Sequence, residues 1–269
     1  MNRLKLTKLT NTRDLNGIET ADGRTIRDGK LIRSGKLSKL PKKTVRALQQ
    51  RGVSLVIDLR MESERAYAPD TVWDGCRYVH IPLLWFPAYG VTDDDLGTID
   101  EKGIIRARIE GDRIKRDFGN TDNYMIQTYR SMVFDGNAKE ALRKFLRLVI
   151  EEDGCVLWHC ASGKDRAGIC AMLVEALLGV DEKTIISDYM ISKEFMRRKF
   201  FFNKMALSIA PIKFSIKRVL FGLMRIKQQY IKTVIDEMKQ RYGGITEYCQ
   251  AELGITDADI SILKEKYLV

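Results

Sequence analysis

The residues best suited to chemistry in this 269-residue chain lie together in WHCASGKDRAG, residues 158–168. His159 directly precedes Cys160, and five residues separate Cys160 from Arg166. A cysteine is the strongest nucleophile among the side chains once it loses its proton. A free thiol titrates near ~8.5, but a helix N-terminus and nearby cations can lower that to between ~3.5 and ~7.5. Arg166 carries a planar fork that fits phosphate oxygens in pairs. Gly163 permits a tight bend with little obstruction. Together these residue types describe a loop that holds an anion over a sulfur nucleophile.

The flanking elements must make that loop. CVLWH (155–159) has the length and composition of a strand and delivers Cys160 to its end. Downstream, Ile169, Met172, Leu173, Ala176 and Leu177 follow helical spacing, so a helix starts near Ala167 and stops at Gly179. A strand, a short turn and a helix N-terminus aim backbone N–H groups at one point and favour anions.

Rival readings of the loop are weaker. A nucleotide P-loop needs a glycine five residues before its Gly-Lys and a Ser or Thr after it; Trp158 and Asp165 occupy those positions. Cys160 as an inert core cysteine leaves the surrounding charged cluster without a purpose. Cys76, Cys155, Cys170 and Cys249 do fit such a structural part. Five cysteines with no C-x-x-C pair suggest neither a zinc site nor a disulfide framework, and no metal or other cofactor is expected. His159 and His80 are expected to be structural.

Beyond the loop, the chain alternates. A turn at Asp22-Gly23 suggests a hairpin. Pro41 opens a helix that Gly52 closes, with Val45 and Leu48 inward. VSLVIDL (53–59) and RYVHIPLL (77–84) read as strands, 88–120 as a long loop or insertion, and 122–133 as a helix. Asn137 with Glu140 suggests a capping box, and the apolar spacing from Ile212 to Met238 predicts one long helix ending at Gly243-Gly244, with Pro211 breaking or kinking the stretch before it. The expected fold is α/β, a mainly parallel central sheet flanked by helices, in a single domain spanning 1–269.

Net charge is +10, and it is concentrated. Between Phe195 and Ile235 there are ten Lys or Arg, no Asp or Glu, and six of the ten Phe residues. The part of it within 192–224 could be a solvated helix pair packed by its phenylalanines or a mobile helical cover able to rest on an anionic membrane. Nucleic acid is not expected, because no binding motif accompanies the charge. There is no signal-peptide-like run and no stretch approaching the ~18 apolar residues of a membrane span, so a soluble, cytoplasmic protein in a reducing compartment is expected, with unconventional export left open.

HCASGKDRAG resembles the H-C-x5-R loop of cysteine-dependent protein tyrosine phosphatases. Its Gly-Lys-Asp-Arg interior resembles one branch, the atypical bacterial tyrosine phosphatases that also act on phosphoinositides. NTRDLNGIETADGRTIRDGKLIRSGKL is similar to that branch's N-terminal signature, VIDLRMESE to its second strand motif, and YIKTVIDEMKQRYGGITEYCQAELGI to its C-terminal helices.

The resemblance implies a phosphomonoesterase for phosphotyrosine, with phosphoserine, phosphothreonine and phosphoinositides as further substrates. Cys160 would attack phosphorus to give a cysteinyl-phosphate. Arg166 and the amides of Ala161, Ser162, Gly163, Lys164 and Ala167 would bind the phosphoryl oxygens. The leaving oxygen needs a proton, and two carboxyls are candidates. Asp165 sits in the loop, or else partners a neighbouring cation. Asp58 ends the VSLVIDL strand, or else anchors Arg166. Lys164 would serve a polyanionic substrate. The basic segment corresponds to a helical lid in relatives. One departure is Ala167, where the family usually carries a hydroxyl residue that helps the thiolate leave; Ser162 is the nearest substitute. It leaves open a catalytically weak phosphate-recognition module.

Overall fold

The computed structural model describes residues 2–4, 6–84, 101–209 and 213–269. In chain order its elements are β1 (Asn2–Arg3), β2 (Arg13–Asp14), β3 (Leu31–Ser34), α1 (Lys42–Gln50), β4 (Val53–Asp58), α2 (Glu62–Tyr67), β5 (Arg77–His80), α3 (Glu101–Phe118), α4 (Thr121–Phe134), α5 (Gly136–Glu151) and β6 (Cys155–His159). Then follow α6 (Arg166–Leu178), α7 (Glu182–Phe195), α8 (Arg197–Ile209), α9 (Phe214–Met224), α10 (Gln228–Tyr242), α11 (Ile245–Leu253) and α12 (Asp257–Tyr267). The strands form one sheet in the order β1-β2-β3-β6-β4-β5. The four strands from β3 to β5 are parallel, and β1 and β2 add an antiparallel edge. The α/β expectation holds.

Period-two alternation sorts the central strands onto two faces. Leu55, Ile57, Val156 and Trp158 point into the large core shared with α4, α5, α6 and α10. Val56, Cys155 and Leu157 point the other way, onto Leu48 of α1, and a register irregularity between Val53 and Leu55 lets Val53 join them. β6 is buried along its whole length and takes its place mid-sheet. The indole of Trp158 meets Phe145 edge to face at 5.7 Å, and its Nε1 donates to the Ala167 carbonyl at 3.1 Å. That single bond fixes the first turn of α6 against the strand that leads into it. The same alternation sends His159 and Asp58, register partners across β6 and β4, to the α1 side.

Several expected boundaries hold. The Asp22-Gly23 turn is present, with Gly23 at φ +83° and Glu19 bridging Thr25. Gly179 ends α6 at φ +91°. Others need correction. The insertion read from 88–120 contains a regular helix, α3, from Glu101; residues 88–100 lie outside the described residues. Gly111 lies inside that helix. A Cβ there would lie 3.0 Å from Ile216 of α9, so the glycine permits a close helix contact. The single helix expected to run to Gly243 is two: the chain leaves α9 at Arg225 in an extended conformation and restarts at α10. Pro211 lies outside the described residues. Asn137 does not cap α5, which begins at Gly136 after Asp135 without a side-chain cap bond.

Candidate active site

Cys160 follows β6 directly and is almost fully buried, at the floor of the turn between β6 and α6. The backbone of that turn is held from behind. Asn11 Nδ2 donates to the carbonyls of Gly163 (2.8 Å) and Ser162 (3.3 Å). Arg33 Nε donates to the Gly163 carbonyl at 3.0 Å, and one of its terminal nitrogens to the Lys164 carbonyl at 2.8 Å. The Lys36 amide reaches the Ala161 carbonyl at 3.3 Å. Four successive carbonyls, from Ala161 to Lys164, are thus bound by groups outside the turn. Because a trans peptide sets each C=O opposite the next N–H, the amides of Ser162, Gly163, Lys164 and Asp165 face the other way. The result is a concave row of donors, an anion-binding nest at a helix N-terminus.

Gly163 is indispensable to this shape twice over. Its φ is +66°, and a Cβ would sit 2.5 Å from the Ser34 carbonyl oxygen. Asn11 holds a positive φ of 52°, which Asn tolerates better than most residues. The clamping residues are themselves locked. Arg13 and Arg33, both fully buried, converge on Asp188 of α7 at 2.9 and 2.8 Å. The Ser192 hydroxyl lies within 3.2 Å of Arg13 and of Asn11.

Arg166 begins α6 and lays its fork on Glu64 of α2, at 2.5 and 2.8 Å. Burial disfavours the charge on each, but their mutual attraction wins. Glu64 is held below the usual carboxylate range, and Arg166 is raised. Glu64 Oε2 also accepts from the Met61 amide at 2.8 Å. The anchor for Arg166 is therefore Glu64; the alternative part given to Asp58 is corrected.

Asp58 has other partners. Its Oδ1 accepts from the Arg60 amide and Nε, at 3.0 and 2.9 Å, and its Oδ2 from an Arg60 terminal nitrogen at 2.8 Å. The same Arg60 nitrogen lies 2.9 Å from Asp70. His159 completes the cluster, with Nε2 2.9 Å from Asp70 and Nδ1 3.9 Å from Asp58; the Nε2 contact lies off the line of a well-formed hydrogen bond. Burial works against the Asp58 charge, yet His159 and Arg60 hold its pKa well below the usual carboxylate range. Burial likewise opposes protonation of His159, but Asp70 and Asp58 raise its pKa. Asp58, Asp70 and His159 could by proximity hold a cation, but Arg60 already lies against both carboxylates. The His80 Nε2 approaches the Arg60 carbonyl at 2.7 Å, a structural part.

Asp165 is on the other side of the loop. Its Oδ1 accepts from the Tyr129 hydroxyl at 2.5 Å, and Tyr129 in turn meets the Tyr189 hydroxyl at 2.7 Å. Lys164 is buried with its Nζ donating to the Leu223 carbonyl at 2.9 Å and lying 3.4 Å from Asp165. It ties the end of α9 to the loop. Ala167 is wholly buried. Of the other thiols, burial pushes Cys76 up to about 11 and Cys155 up to about 12, and lifts Cys170 and Cys249 well above the ordinary value.

The turn from Cys160 to Ala167 thus forms one continuous site, while Asp58 is turned away into a buried ion cluster. Sequence reasoning missed Glu64, Asn11, Arg13 and Arg33 as its supports. The signal was present in NTRDLNG, LIRSGKL and VIDLRMESE, within the stretches already notable for resemblance, but no spacing rule joins them to residue 160.

A buried cysteine below a row of outward-held peptide units at a helix N-terminus, with a buried arginine beside it, suits the binding of an anion over sulfur. The tyrosine phosphatase family matches residues 4–269, and the chain belongs to it as a phosphoric monoester hydrolase of the protein-tyrosine-phosphatase type. A Cupriavidus necator protein named as a tyrosine-protein phosphatase is 25% identical over 97% of this chain and 86% of its own length. The triple specificity protein phosphatase PtpB of Mycobacterium tuberculosis is 27% identical over 81% of this chain and 83% of its own. A crystal structure of Pseudomonas aeruginosa TpbA with phosphotyrosine covers 74% of this chain and 90% of its own, at 16% identity and a TM-score of 0.29, a superposition too weak to bear on the fold.

Proposed function

We propose that this chain hydrolyses phosphotyrosine through a cysteinyl-phosphate, and that phosphoserine, phosphothreonine and phosphoinositides are further substrates. The observation that carries the reading is the row of carbonyls from Ala161 to Lys164 bound outward by Asn11, Arg33 and Lys36, which turns the amides onto the space above Cys160. In the first step the Cys160 thiolate attacks phosphorus, an S–P bond forms and the ester P–O bond breaks. The leaving oxygen takes a proton from a carboxylic acid. In the second step water attacks the phosphoryl group and the thiolate leaves. Arg166, with two N–H groups committed to Glu64, keeps three of its five donors for phosphoryl oxygens.

Asp165 is the better acid. It belongs to the loop itself, where the Tyr129 hydroxyl reaches its Oδ1. Asp58 is saturated by Arg60. Lys164, at the end of the loop, offers a cation to a substrate with a second phosphate, which would compete with the Leu223 carbonyl. The free thiol suits a reducing, cytoplasmic setting, and among the described residues no helix is long and apolar enough to cross a membrane.

A second reading, a phosphate-recognition module with slow turnover, is favoured by Ala167, which supplies no hydroxyl for the second step. Rapid-mix kinetics separate the two. An enzyme turns over beyond its burst, whereas a recognition module stops at one equivalent, and Ala167→Ser then restores turnover. The main test compares wild type and Cys160→Ser on phosphotyrosine peptides and inositol phosphates, with chelator and with vanadate. Hydrolysis should vanish in the serine variant, survive chelation and be blocked by vanadate. Turnover that persists without Cys160 overturns the mechanism.

A further inference from the structure

Helix α8 is apolar on its outer side. At 3.6 residues per turn, Phe201, Phe202, Met205 and Ile209 fall within about 100° of arc. They are 64%, 54%, 53% and 85% exposed, and Phe214 at the start of α9 is 77% exposed. The opposite side of α8 faces the protein through buried Leu207 and partly buried Phe200. The exposed ring is therefore not the core-facing stripe of a helix packed the ordinary way. Cations surround it: Arg197, Arg198, Lys204 and Lys213 are all exposed, and no acidic side chain occurs between Phe195 and Ile235.

That pattern of protruding apolar groups set among cations matches the physics of an interfacial helix, whose apolar side enters the headgroup boundary while its cations meet anionic lipids. Building on the phosphatase reading of the neighbouring loop, we propose that the outer face of α8, with Phe214, docks on an anionic lipid bilayer. The charge selects this occupant. A second copy of the chain would set one wholly basic face against another, and like charges facing each other across an interface are costly. The face is mechanically joined to the site, because α9 follows α8 and its Leu223 carbonyl is held by Lys164 of the loop. Docking would bring the catalytic turn to phosphate carried at a membrane surface.

The test is co-sedimentation of the full-length Cys160→Ser protein with phosphatidylcholine vesicles and with vesicles that also contain phosphatidylserine. Binding should need phosphatidylserine and weaken sharply at about 1 M salt, where the Debye length is ~3 Å. Combining Phe201→Ser, Met205→Ser and Ile209→Ser should lower the partition coefficient about a hundredfold. Arg198→Gln with Lys204→Gln should lower it about 25-fold, roughly fivefold for each cation. In the otherwise wild-type protein the triple substitution should leave melting temperature and turnover of a soluble aryl phosphate unchanged. Equal binding to both vesicle types, no binding, or binding untouched by the triple substitution overturns the proposal. So does a concentration-dependent dimer that the triple substitution abolishes, since the face then belongs to a second copy. Vesicle binding is read without turnover, so its failure leaves the phosphatase assay standing, and the reverse holds.

Discussion

Replacing Glu64 with glutamine tests whether Arg166 is pre-set for catalysis. The two side chains are 7% and 11% exposed and share two bonds of 2.5 and 2.8 Å. Removing one member of a buried pair strands the other, at a typical cost of about 3–5 kcal/mol. Glutamine keeps the shape but turns an NH2 group against the guanidinium, so one contact becomes donor against donor. Some of the loss is relieved if Arg166 swings away, and that relief takes the fork off the phosphoryl oxygens. We expect about 2–3 kcal/mol from stability and a fall in kcat/KM of about 10²–10³-fold, measured by urea unfolding and with an aryl phosphate. The stability difference should also depend on pH. The pKa of Glu64 is depressed in the folded state, so its contribution is complete above the unfolded value near ~4.3 and fades as pH falls through the folded value. Glu62→Gln on the same helix, at a side chain 73% exposed, should change neither quantity. A Glu64→Gln enzyme with near-native activity and stability would refute the reasoning.

The remaining expectations are narrower. Asp165→Asn should slow hydrolysis of alkyl phosphates by about 10²–10⁴-fold and spare aryl phosphates whose leaving groups need no proton; Asp58→Asn should instead lower stability and leave the leaving-group dependence intact. Gly163→Ala should weaken vanadate inhibition at least about tenfold, because strain of about 1–3 kcal/mol falls on the anion-binding turn; an unchanged inhibition constant would count against the amide row. His159 has a raised pKa, so its charged-state stabilisation is complete below the unfolded value near ~6.5 and is lost as pH rises through the folded value. The stability gap between wild type and His159→Gln in urea unfolding should therefore narrow on the alkaline side, and a gap that widens there would contradict the cluster.

Local periodicity made the strand Cys155–His159, the turn and the helix after it legible, because each depends on neighbours in sequence. The supports were not legible in this way. Glu64 is one carboxylate among 36 acidic residues, and only the folded sheet brings α2 beside α6. Asp58 drew attention by standing at a strand end, but Arg60, two residues on, takes both its oxygens. The helix α3 was not legible in 88–120, and Gly111 within it admits Ile216 of α9. The break between α9 and α10 carries neither proline nor glycine, so composition gave no warning of it.

The outward tethers on the catalytic turn have a consequence for which positions can vary. Asn11 and Arg33 grip main-chain oxygens, and main chain is common to every residue type. The contour that receives an anion is thus written largely at Asn11 and Arg33, which cannot vary without reshaping it. Transplanting the turn without its strands would carry over the letters and lose the mould.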